Sequence, residues 1–329
     1  MPKAQDDETP PPDDDLVARI FGPRPDDQPP GDAAEHRSGF VALVGRPNVG
    51  KSTLLNALVG EKVAIVSPRP QTTRRRILGI RTEPGIQSVF VDTPGVHRPK
   101  TSLGKSMVRV ARGAVPDADV LVFVTDASRP PTSIDRSIAR DITEVGKPIV
   151  LALNKTDLLP PEAVADRVAA FRELAGGTDD WTLTVATRKH NVERLWAMIA
   201  ALLPPGPQFF PPDQISDQTD RMMAAELVRE AALRHLRQEV PHGVEVVVED
   251  WRKMENSDVL YIGAALMVER QAHRGMVIGK GGRMLKMIGT DARREIERLL
   301  ERQVYLDVEV VVRSDWRSDQ GELRRLGYV

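Results

Sequence analysis

Short apolar runs alternate with polar or mixed segments through the first two thirds of the chain. Five of these runs have the continuous apolar character of strands that are buried on both faces; they span residues 40–44, 88–91, 120–124, 149–153 and 182–185. Strands of this kind, separated by helical or loop segments, favour a doubly wound, mostly parallel sheet with helices on both sides. We therefore predict an α/β domain over residues 38–204.

A proline cluster follows this domain. It contains Pro204, Pro205, Pro207, Pro211 and Pro212, with a glycine inside it. Such a segment can form neither a helix nor a central strand, because proline lacks the backbone N–H donor and fixes its own φ angle. We predict a linker over residues 205–218.

The pattern after the linker indicates a smaller domain over residues 219–329. Residues 220–239 have helical periodicity, with Met223, Leu227, Ala231 and Leu236 near one face. Further elements follow in chain order: strands at 244–248 and 260–268, a glycine-rich turn, a short helix directly after that turn, a helix around 291–300, and a strand at 304–312. The order α-β-β-α-α-β predicts an α+β domain.

The first 37 residues differ from the rest in composition. They hold eight prolines, ten acidic residues and four basic residues, so their net charge is −6, whereas residues 38–329 carry +5. This segment has too little apolar content to offset its ordering entropy, and we predict a disordered arm. It serves either to keep the protein soluble or to repel stray nucleic acid. The mildly basic body is compatible with a polyanionic partner but does not decide the matter.

Several classes of protein are excluded by composition. The 329-residue chain has no cysteine, which rules out disulfides, thiolate zinc sites and a cysteine nucleophile. No apolar run approaches the roughly 18 residues that a membrane span needs. The acidic start lacks the cationic and apolar pattern of a signal peptide. We expect a cytoplasmic protein.

The segment 45–52 reads G-R-P-N-V-G-K-S and matches the phosphate-binding loop pattern G-x-x-x-x-G-K-[ST]. It lies between an apolar strand and a helical segment, where backbone N–H groups and the helix N-terminus can surround phosphate oxygens. Lys51 is expected to reach the β- and γ-phosphates, and the Ser52 hydroxyl to bind Mg²⁺.

Two further motifs indicate a guanine nucleotide. Asp92-Thr93-Pro94-Gly95 follows a strand; its aspartate can hold Mg²⁺ through water, and the Gly95 N–H can contact the γ-phosphate. Asn154-Lys155-Thr156-Asp157 follows the predicted strand at residues 149–153. A carboxylate at Asp157 can accept from guanine N1–H and N2–H₂ together, which adenine cannot offer, and this selects against ATP by roughly 10²-fold or more.

In combination these motifs resemble the translation-factor-related P-loop GTPases. Pro70-Gln71-Thr72-Thr73-Arg74 is similar to the switch I signature of the bacterial Era GTPase family. The resemblance implies that Thr73 closes on Mg²⁺ and the γ-phosphate, with Thr72 as the alternative. The implied metal site is Ser52, Thr73 and Asp92. The implied GTP-binding residues are Gly45, Arg46, Pro47, Asn48, Val49, Gly50, Lys51, Ser52, Thr53, Asp92, Thr93, Pro94, Gly95, Asn154, Lys155, Thr156, Asp157 and Ala186.

The chain departs from the family pattern in one binding loop. That loop usually reads Ser-Ala but here reads Val185-Ala186, so a serine hydroxyl is missing while the Ala186 N–H can still meet guanine O6. Guanine specificity is expected to survive on Asp157, with looser affinity.

The sequence also offers few candidate catalytic residues. Val96 occupies the place of the glutamine that orients water in Ras-like proteins, which predicts slow intrinsic hydrolysis. His97 is adjacent but reads as a loop residue. In related GTPases the residue equivalent to Asn48 helps to bind K⁺; here it either does so or only shapes the loop. The residues that we assign to catalysis are Asn48, Lys51, Thr73 and Gly95, with Mg²⁺ and potentially K⁺ as cofactors.

The second domain contains M-V-I-G-K-G-G-R at 276–283, the G-x-x-G loop of a K homology (KH) domain. Such loops clamp about four single-stranded nucleotides. We assign RNA binding to Arg274, Ile278, Gly279, Lys280, Gly281, Gly282, Arg283 and Lys286. Only one aromatic residue, Tyr261, lies on the strands before the last one, and it is potentially part of the core. We therefore expect an aliphatic groove rather than an aromatic platform, and the element order is that of a type II KH domain.

The resemblance to the Era family covers residues 39 to 329. It implies binding of GTP and GDP, binding to the 3′ end of 16S ribosomal RNA, a role in assembly of the 30S subunit, a monomeric state and potential peripheral contact with the inner membrane. Two alternatives stay open: an RNA-binding scaffold with a mainly structural nucleotide site, and a GTPase of tRNA modification or another ribosome step.

Overall fold

The computed structural model describes residues 36–69, 71–95 and 101–328. The predicted disordered arm therefore lies almost wholly outside the described residues, as do Val96 and His97. Within the described ranges every helix is too short or too polar to span a bilayer.

The first domain is a six-stranded sheet in the order β2-β3-β1-β4-β5-β6. All neighbouring strands pair in parallel except β2, which runs antiparallel to β3. The strands are β1 (Arg37–Val44), β2 (Ile77–Glu83), β3 (Ile86–Asp92), β4 (Val120–Asp126), β5 (Ile149–Asn154) and β6 (Trp181–Leu183).

Helices cover both faces of this sheet, as a mostly parallel sheet requires. They are α1 (Lys51–Val59), α2 (Ser102–Gly113), α3 (Ser133–Thr143), α4 (Val164–Leu174) and α5 (Val192–Leu202). One buried cluster joins α1 and α5 to the sheet, and a second joins α3 and α4 to its opposite face. The predicted doubly wound α/β fold is confirmed.

Strand β2 was not predicted from the sequence. Gly79 and Arg81 interrupt its apolar pattern, and only its first four residues are buried. It is an edge strand, and its outer edge is covered by the chain between the two domains. The backbone N–H of Ile80 donates to the carbonyl of Ile215 at 2.8 Å, and the N–H of Leu78 donates to Asp217 Oδ1 at 3.0 Å. Residues 205–218 contain no helix or strand and lie along this domain.

The second domain has the predicted order α-β-β-α-α-β. Its elements are α6 (Asp220–His235), β7 (Glu245–Lys253), β8 (Leu260–Val268), α7 (Gln271–Ile278), α8 (Arg283–Leu300) and β9 (Val304–Val312), followed by a short helix α9 (Gln320–Arg325). Strand β8 is central, antiparallel to β7 and parallel to β9. A single core cluster packs α6, α7 and α8 against one face of this sheet.

The position of the glycine-rich loop differs from the sequence prediction. We placed the loop directly after a strand, with both helices after it, but α7 precedes the loop and only α8 follows. Helix α7 was missed because Gly275, Val277 and Ile278 are poor helix formers that favour a turn or strand. Helix α8 also begins at Arg283 rather than near Asp291, since Gly289 in its second turn obscures the helical pattern.

The two domains share an apolar interface. Leu103 and Met107 of α2 pack in one buried cluster with Met267 of β8 and Trp316 near the C-terminus. The Trp316 ring is fully buried, stacks on Tyr328 at 6.3 Å between centroids, and its Nε1–H donates to the Gly243 carbonyl at 3.0 Å.

We expect Trp316→Ala to lower the free energy of unfolding by about 3–5 kcal/mol, because it removes a large buried ring and leaves a cavity. Trp316→Phe retains an aromatic ring and loses the indole donor, so its loss should be about 1–2 kcal/mol. Urea unfolding followed by circular dichroism measures both. Equal stability of Trp316→Ala and the unmodified chain would contradict this packing.

Candidate nucleotide and RNA sites

The phosphate-binding loop lies between β1 and α1, as predicted. Gly50 has a φ of 103°, and a Cβ there would be 2.3 Å from Asn154 Nδ2, so only glycine fits. Lys51 is buried, and its Nζ donates to the carbonyls of Gly45 at 3.1 Å and Arg46 at 3.3 Å. Burial lowers the pKa of Lys51 to about 8, although the nearby carboxylate of Asp92 opposes the shift. The ammonium is thus placed across the mouth of the loop.

Three predicted metal ligands converge beside the loop. Ser52 Oγ donates to Asp92 Oδ2 at 2.7 Å and lies 2.8 Å from Thr73 Oγ1, which itself donates to Asp92 Oδ2 at 3.2 Å. Burial raises the pKa of Asp92. Its Oδ1 is also buried and has no hydrogen-bond partner among the described residues. A cluster of hard oxygen donors with an uncompensated carboxylate fits Mg²⁺.

The structure separates the two candidate threonines of switch I. Thr73 is buried and faces the metal site, whereas the Thr72 hydroxyl donates to the Arg69 carbonyl at 2.7 Å. The geometry therefore brings Thr73, and not Thr72, to Ser52 and Asp92.

All four residues that we assigned to catalysis line one small cavity of about 60 Å³ under switch I; they are Asn48, Lys51, Thr73 and Gly95. Thr53 also lines it. Gly95 lies against the phosphate loop, since a Cβ there would be 2.7 Å from Pro47 Cα. Asn48 Nδ2 donates to the Pro68 carbonyl at 3.0 Å and so joins the loop to the segment that leads into switch I. Thr93, in the turn that leads to Gly95, is buried.

The guanine motif is tied to the phosphate loop through Asn154. Its Nδ2 donates to the Val49 carbonyl at 2.9 Å, and its Oδ1 accepts from the Ala186 N–H at 3.1 Å and from Thr184 Oγ1 at 3.2 Å. The N–H that we expected to meet guanine O6 is therefore hydrogen-bonded to Asn154 here. Thr156 Oγ1 donates to the Thr184 carbonyl at 3.1 Å.

Asp157 lies at an open cavity of about 630 Å³ beside Val185 and Arg188. The Asp157 side chain is 23% exposed, and its carboxylate is 3.7 Å from the Arg188 guanidinium. Val185 is mostly buried and places no hydroxyl at the base site.

Sequence reasoning missed Asp126 at the end of β4. Its carboxylate pairs with Lys155 Nζ at 3.0 Å and with Arg46 Nη2 at 3.5 Å. Lys155 Nζ also donates to the Asn48 carbonyl at 2.6 Å. Asp126 thereby holds the lysine of the guanine motif against the phosphate loop. Its position after an apolar strand, at the same sheet edge as the other motifs, was the available signal.

The G-x-x-G loop joins α7 to α8. Gly279 has a φ of 71°, and a Cβ there would be 2.7 Å from the Met284 Cβ, so a side chain cannot be accommodated. Gly281 and Gly282 also have positive φ angles of 61° and 74°. The basic side chains on and after the loop are exposed; they are Lys280, Arg283 and Lys286. Arg274 differs, since its Nε donates to the Val310 carbonyl at 3.1 Å and ties α7 to β9.

A groove of about 430 Å³ runs beside the loop between α8 and β9. It is lined by Gly282, Leu285, Lys286, Gly289, Thr290, Arg293, Tyr305, Leu306 and Val308. Ile278 is not among these residues and is half-buried against the domain core. The β9 wall was missed because no local pattern reveals which strand neighbours the loop.

Tyr261 is not a core residue. Its ring stacks on Tyr305 at 5.8 Å between centroids, and the Arg252 guanidinium lies 4.5 Å from the ring centre. Tyr305 is 56% exposed. Tyr305 itself lines the groove, so an aromatic pair adjoins its aliphatic residues Leu285, Leu306 and Val308, which the sequence did not predict.

These sites define a class of protein: the chain is a P-loop GTPase that carries a C-terminal KH domain. Residues 40–155 match the family of 50S ribosome-binding GTPases, and residues 239–317 match the KH domain family.

Related proteins narrow the class to one family. The chain is 44% identical to the GTPase Era of Caldanaerobacter subterraneus subsp. tengcongensis, covering 89% of this chain and 98% of the relative. It is 45% identical to the GTPase Era of Deinococcus deserti, covering 90% and 97%. The chain belongs to the Era family of GTPases.

Solved structures agree with this assignment. The fold matches Era in complex with MgGDPNP and nucleotides 1506–1542 of 16S ribosomal RNA, with a TM-score of 0.86 and 38% identity over 89% of this chain and 99% of that one. It also matches a variant of Aquifex aeolicus Era bound to GDP and aluminium fluoride, with a TM-score of 0.85, 38% identity and the same coverage.

We expect Asp157→Asn to weaken GTP binding by about 10- to 100-fold, because an amide cannot accept both guanine donors. The variant should gain affinity for xanthosine triphosphate, whose C2 carbonyl suits an amide donor. Calorimetric titration with both nucleotides measures the change, and Asp166→Asn, on the exposed face of α4, is the matched control. Unaltered GTP affinity in Asp157→Asn would show that this residue does not bind the guanine base.

Proposed function

We propose that this GTPase binds the 3′ end of 16S ribosomal RNA and acts in assembly of the 30S subunit. One observation carries the proposal: a GTP site and a G-x-x-G groove lie in one chain whose fold follows, over 89% of its length, an Era structure that holds MgGDPNP and nucleotides of 16S ribosomal RNA. Crosslinking of the bound RNA, followed by mapping of the linked nucleotides, tests the assignment.

Few groups in the GTP site account for the binding of phosphates and metal. Lys51 and the loop N–H groups would hold the phosphates, and Ser52, Thr73 and Asp92 would hold Mg²⁺. When bound, Mg²⁺ neutralises charge that develops on the phosphate oxygens. The Gly95 N–H contacts the γ-phosphate. With a valine at position 96, no side chain there can orient the attacking water, so intrinsic turnover is slow.

Guanine recognition rests on Asp157, which accepts from both base donors, and on the Ala186 N–H. That N–H points to Asn154 Oδ1 at 3.1 Å, so on GTP binding it has to exchange this bond for guanine O6 or share it. This exchange adds to the looser affinity expected from the missing serine.

The KH domain supplies the RNA site. Gly279 and Gly282 allow phosphates to approach the backbone, and Lys280 and Arg283 supply exposed positive charge. Bases lie in the groove between α8 and β9, with Leu285 on its floor. The contacts with phosphates fix the position of the RNA on the domain, and the contacts in the groove recognise its bases.

Two rival functions make different predictions. A scaffold with a structural nucleotide site should show no change in GTP turnover when ribosomal RNA is added. A GTPase of tRNA modification should crosslink to tRNA rather than to 16S ribosomal RNA.

We further propose that the chain is a cytoplasmic monomer with peripheral contact at the inner membrane. Sedimentation equilibrium tests the monomeric state, and flotation with anionic vesicles tests the membrane contact.

We expect Lys280→Asp to weaken binding of a 16S 3′-end oligonucleotide by about tenfold or more, because it replaces an exposed cation by an anion at the phosphate clamp. GTP affinity should not change, since the two sites lie on different domains. Lys253→Asp is the matched control: this exposed lysine lies at the end of β7 and pairs with Asp258 at 2.6 Å. Equal RNA affinity of both variants and the unmodified chain would show that the G-x-x-G segment is an ordinary turn that does not bind RNA.

Turnover should lie well below the typical enzyme value of about 10 s⁻¹. If Asn48 places a monovalent cation, K⁺ in place of Na⁺ should raise turnover; a roughly tenfold gain corresponds to about 1.4 kcal/mol off the barrier. Asn48→Ala should abolish this gain while sparing much of the GTP affinity, which depends on Lys51. Equal rates in Na⁺ and K⁺, measured with RNA bound, would show that Asn48 places no cation and only shapes the loop through its bond to Pro68.

A further inference from the structure

Residues just before switch I contact the KH domain. The Val66 N–H donates to Glu230 Oε1 at 2.8 Å, and the Arg69 guanidinium donates to the Leu236 carbonyl at 3.1 Å. Both partners belong to α6 or its C-terminal end. The segment that carries Thr73 is therefore held from the RNA-binding side of the molecule as well as from the nucleotide side.

The residues on either side of Thr73 make the closest of these contacts. Arg229 of α6 donates from Nη2 to the Thr72 carbonyl at 2.6 Å. Arg74 donates from Nη1 to the Val244 carbonyl at 2.6 Å and to Glu245 Oε2 at 2.8 Å. Its Nη2 also donates to the carbonyl of His242 at 3.0 Å. One planar guanidinium thus bridges three groups of the KH domain.

This network is almost entirely removed from water. The side chains of Arg74 and Glu245 are 4% and 2% exposed, and that of Arg229 is 1% exposed. The Tyr328 hydroxyl donates to Glu245 Oε2 at 2.5 Å. Burial pushes the pKa of Glu245 up, but the Arg74 and Arg229 guanidiniums outweigh it and hold the pKa below its usual value. The pair therefore stays charged, and breaking it would leave a buried charge uncompensated.

Consecutive residues of this segment face different domains. Thr73 directs its hydroxyl to Ser52 and Asp92, while the Thr72 carbonyl and the Arg74 side chain face the KH domain. A conformation that withdraws Thr73 from the metal site has to move both neighbours, and so must break or carry along their bonds to the KH domain.

We propose that Arg74 and Arg229 are positioning residues that couple Thr73 to the KH domain, so that the nucleotide state and the RNA affinity control each other through these two side chains. The inference rests on the proposed RNA binding and assigns the groups that transmit the signal. Because coupling is reciprocal, bound RNA must change the affinity for a GTP analogue by the same factor as the analogue changes RNA affinity.

The test measures the affinity of the full chain for a fluorescent 16S 3′-end oligonucleotide, once with Mg²⁺ and a non-hydrolysable GTP analogue and once with GDP. The ratio of the two affinities is the coupling factor, and about 5- to 150-fold is the usual range for such coupling. We expect Arg74→Met and Arg229→Met each to bring this ratio close to 1.

Two further variants separate coupling from loss of structure. Tyr328→Phe keeps the ring packed on Trp316 and removes only the bond to Glu245, so it should give an intermediate ratio. Arg172→Met on α4 removes an arginine whose bonds go to the neighbouring residues Thr178 and Asp179, and should retain the full ratio.

A second readout concerns Thr73 directly. The Mg²⁺ concentration that half-saturates GTP-analogue binding should rise several-fold in Arg229→Met and stay unchanged in Arg172→Met. A merely structural role for Arg229 would lower the unfolding temperature without moving this midpoint.

The outcomes are distinct. If the unmodified chain fails to bind the oligonucleotide in either state, the proposed function is wrong. If it binds RNA but its ratio is 1, or if Arg74→Met and Arg229→Met retain its ratio and Mg²⁺ midpoint, the proposed function stands and the coupling inference is overturned.

Discussion

The structure depends on one three-residue stretch of switch I that has to satisfy two domains at once. Thr73 meets the buried carboxylate of Asp92, while the Thr72 carbonyl and the Arg74 guanidinium are bound by the KH domain. Burying the Arg74–Glu245 pair is costly in desolvation, and removing either partner would leave the other charge buried without compensation. One of the contacts between the two domains therefore lies directly beside the predicted metal site.

A second constraint organises the nucleotide site itself. The single amide of Asn154 bonds to the Val49 carbonyl, the Ala186 N–H and the Thr184 hydroxyl, and so joins the phosphate loop to the guanine-binding segments. Asp126 repeats this connection through Lys155. These bonds hold the backbone of the base-binding loop in place, although Val185 supplies no hydroxyl there.

The RNA site follows a different principle. The G-x-x-G loop exposes the basic side chains of Lys280 and Arg283 to solvent, where their charge is available to an anionic ligand. We propose that bases are read in the adjoining groove, whose second wall is β9 with Tyr305. Because this groove and the GTP site lie on different domains, any communication between them has to pass through the domain interface.

The sequence by itself determined the phosphate loop, the D-T-P-G turn, the N-K-T-D motif and the G-x-x-G loop, because each is a local arrangement whose residue types and flanking strand or helix are contiguous. It also determined both fold classes, since strand and helix periodicity is local. Tertiary structure alone placed α7 before the glycine-rich loop and added the edge strand β2. It alone paired Arg74 with Glu245, which lie 171 residues apart. No local pattern encodes such a contact, because a buried ion pair between domains is fixed by how their surfaces meet and not by the spacing of residues along the chain.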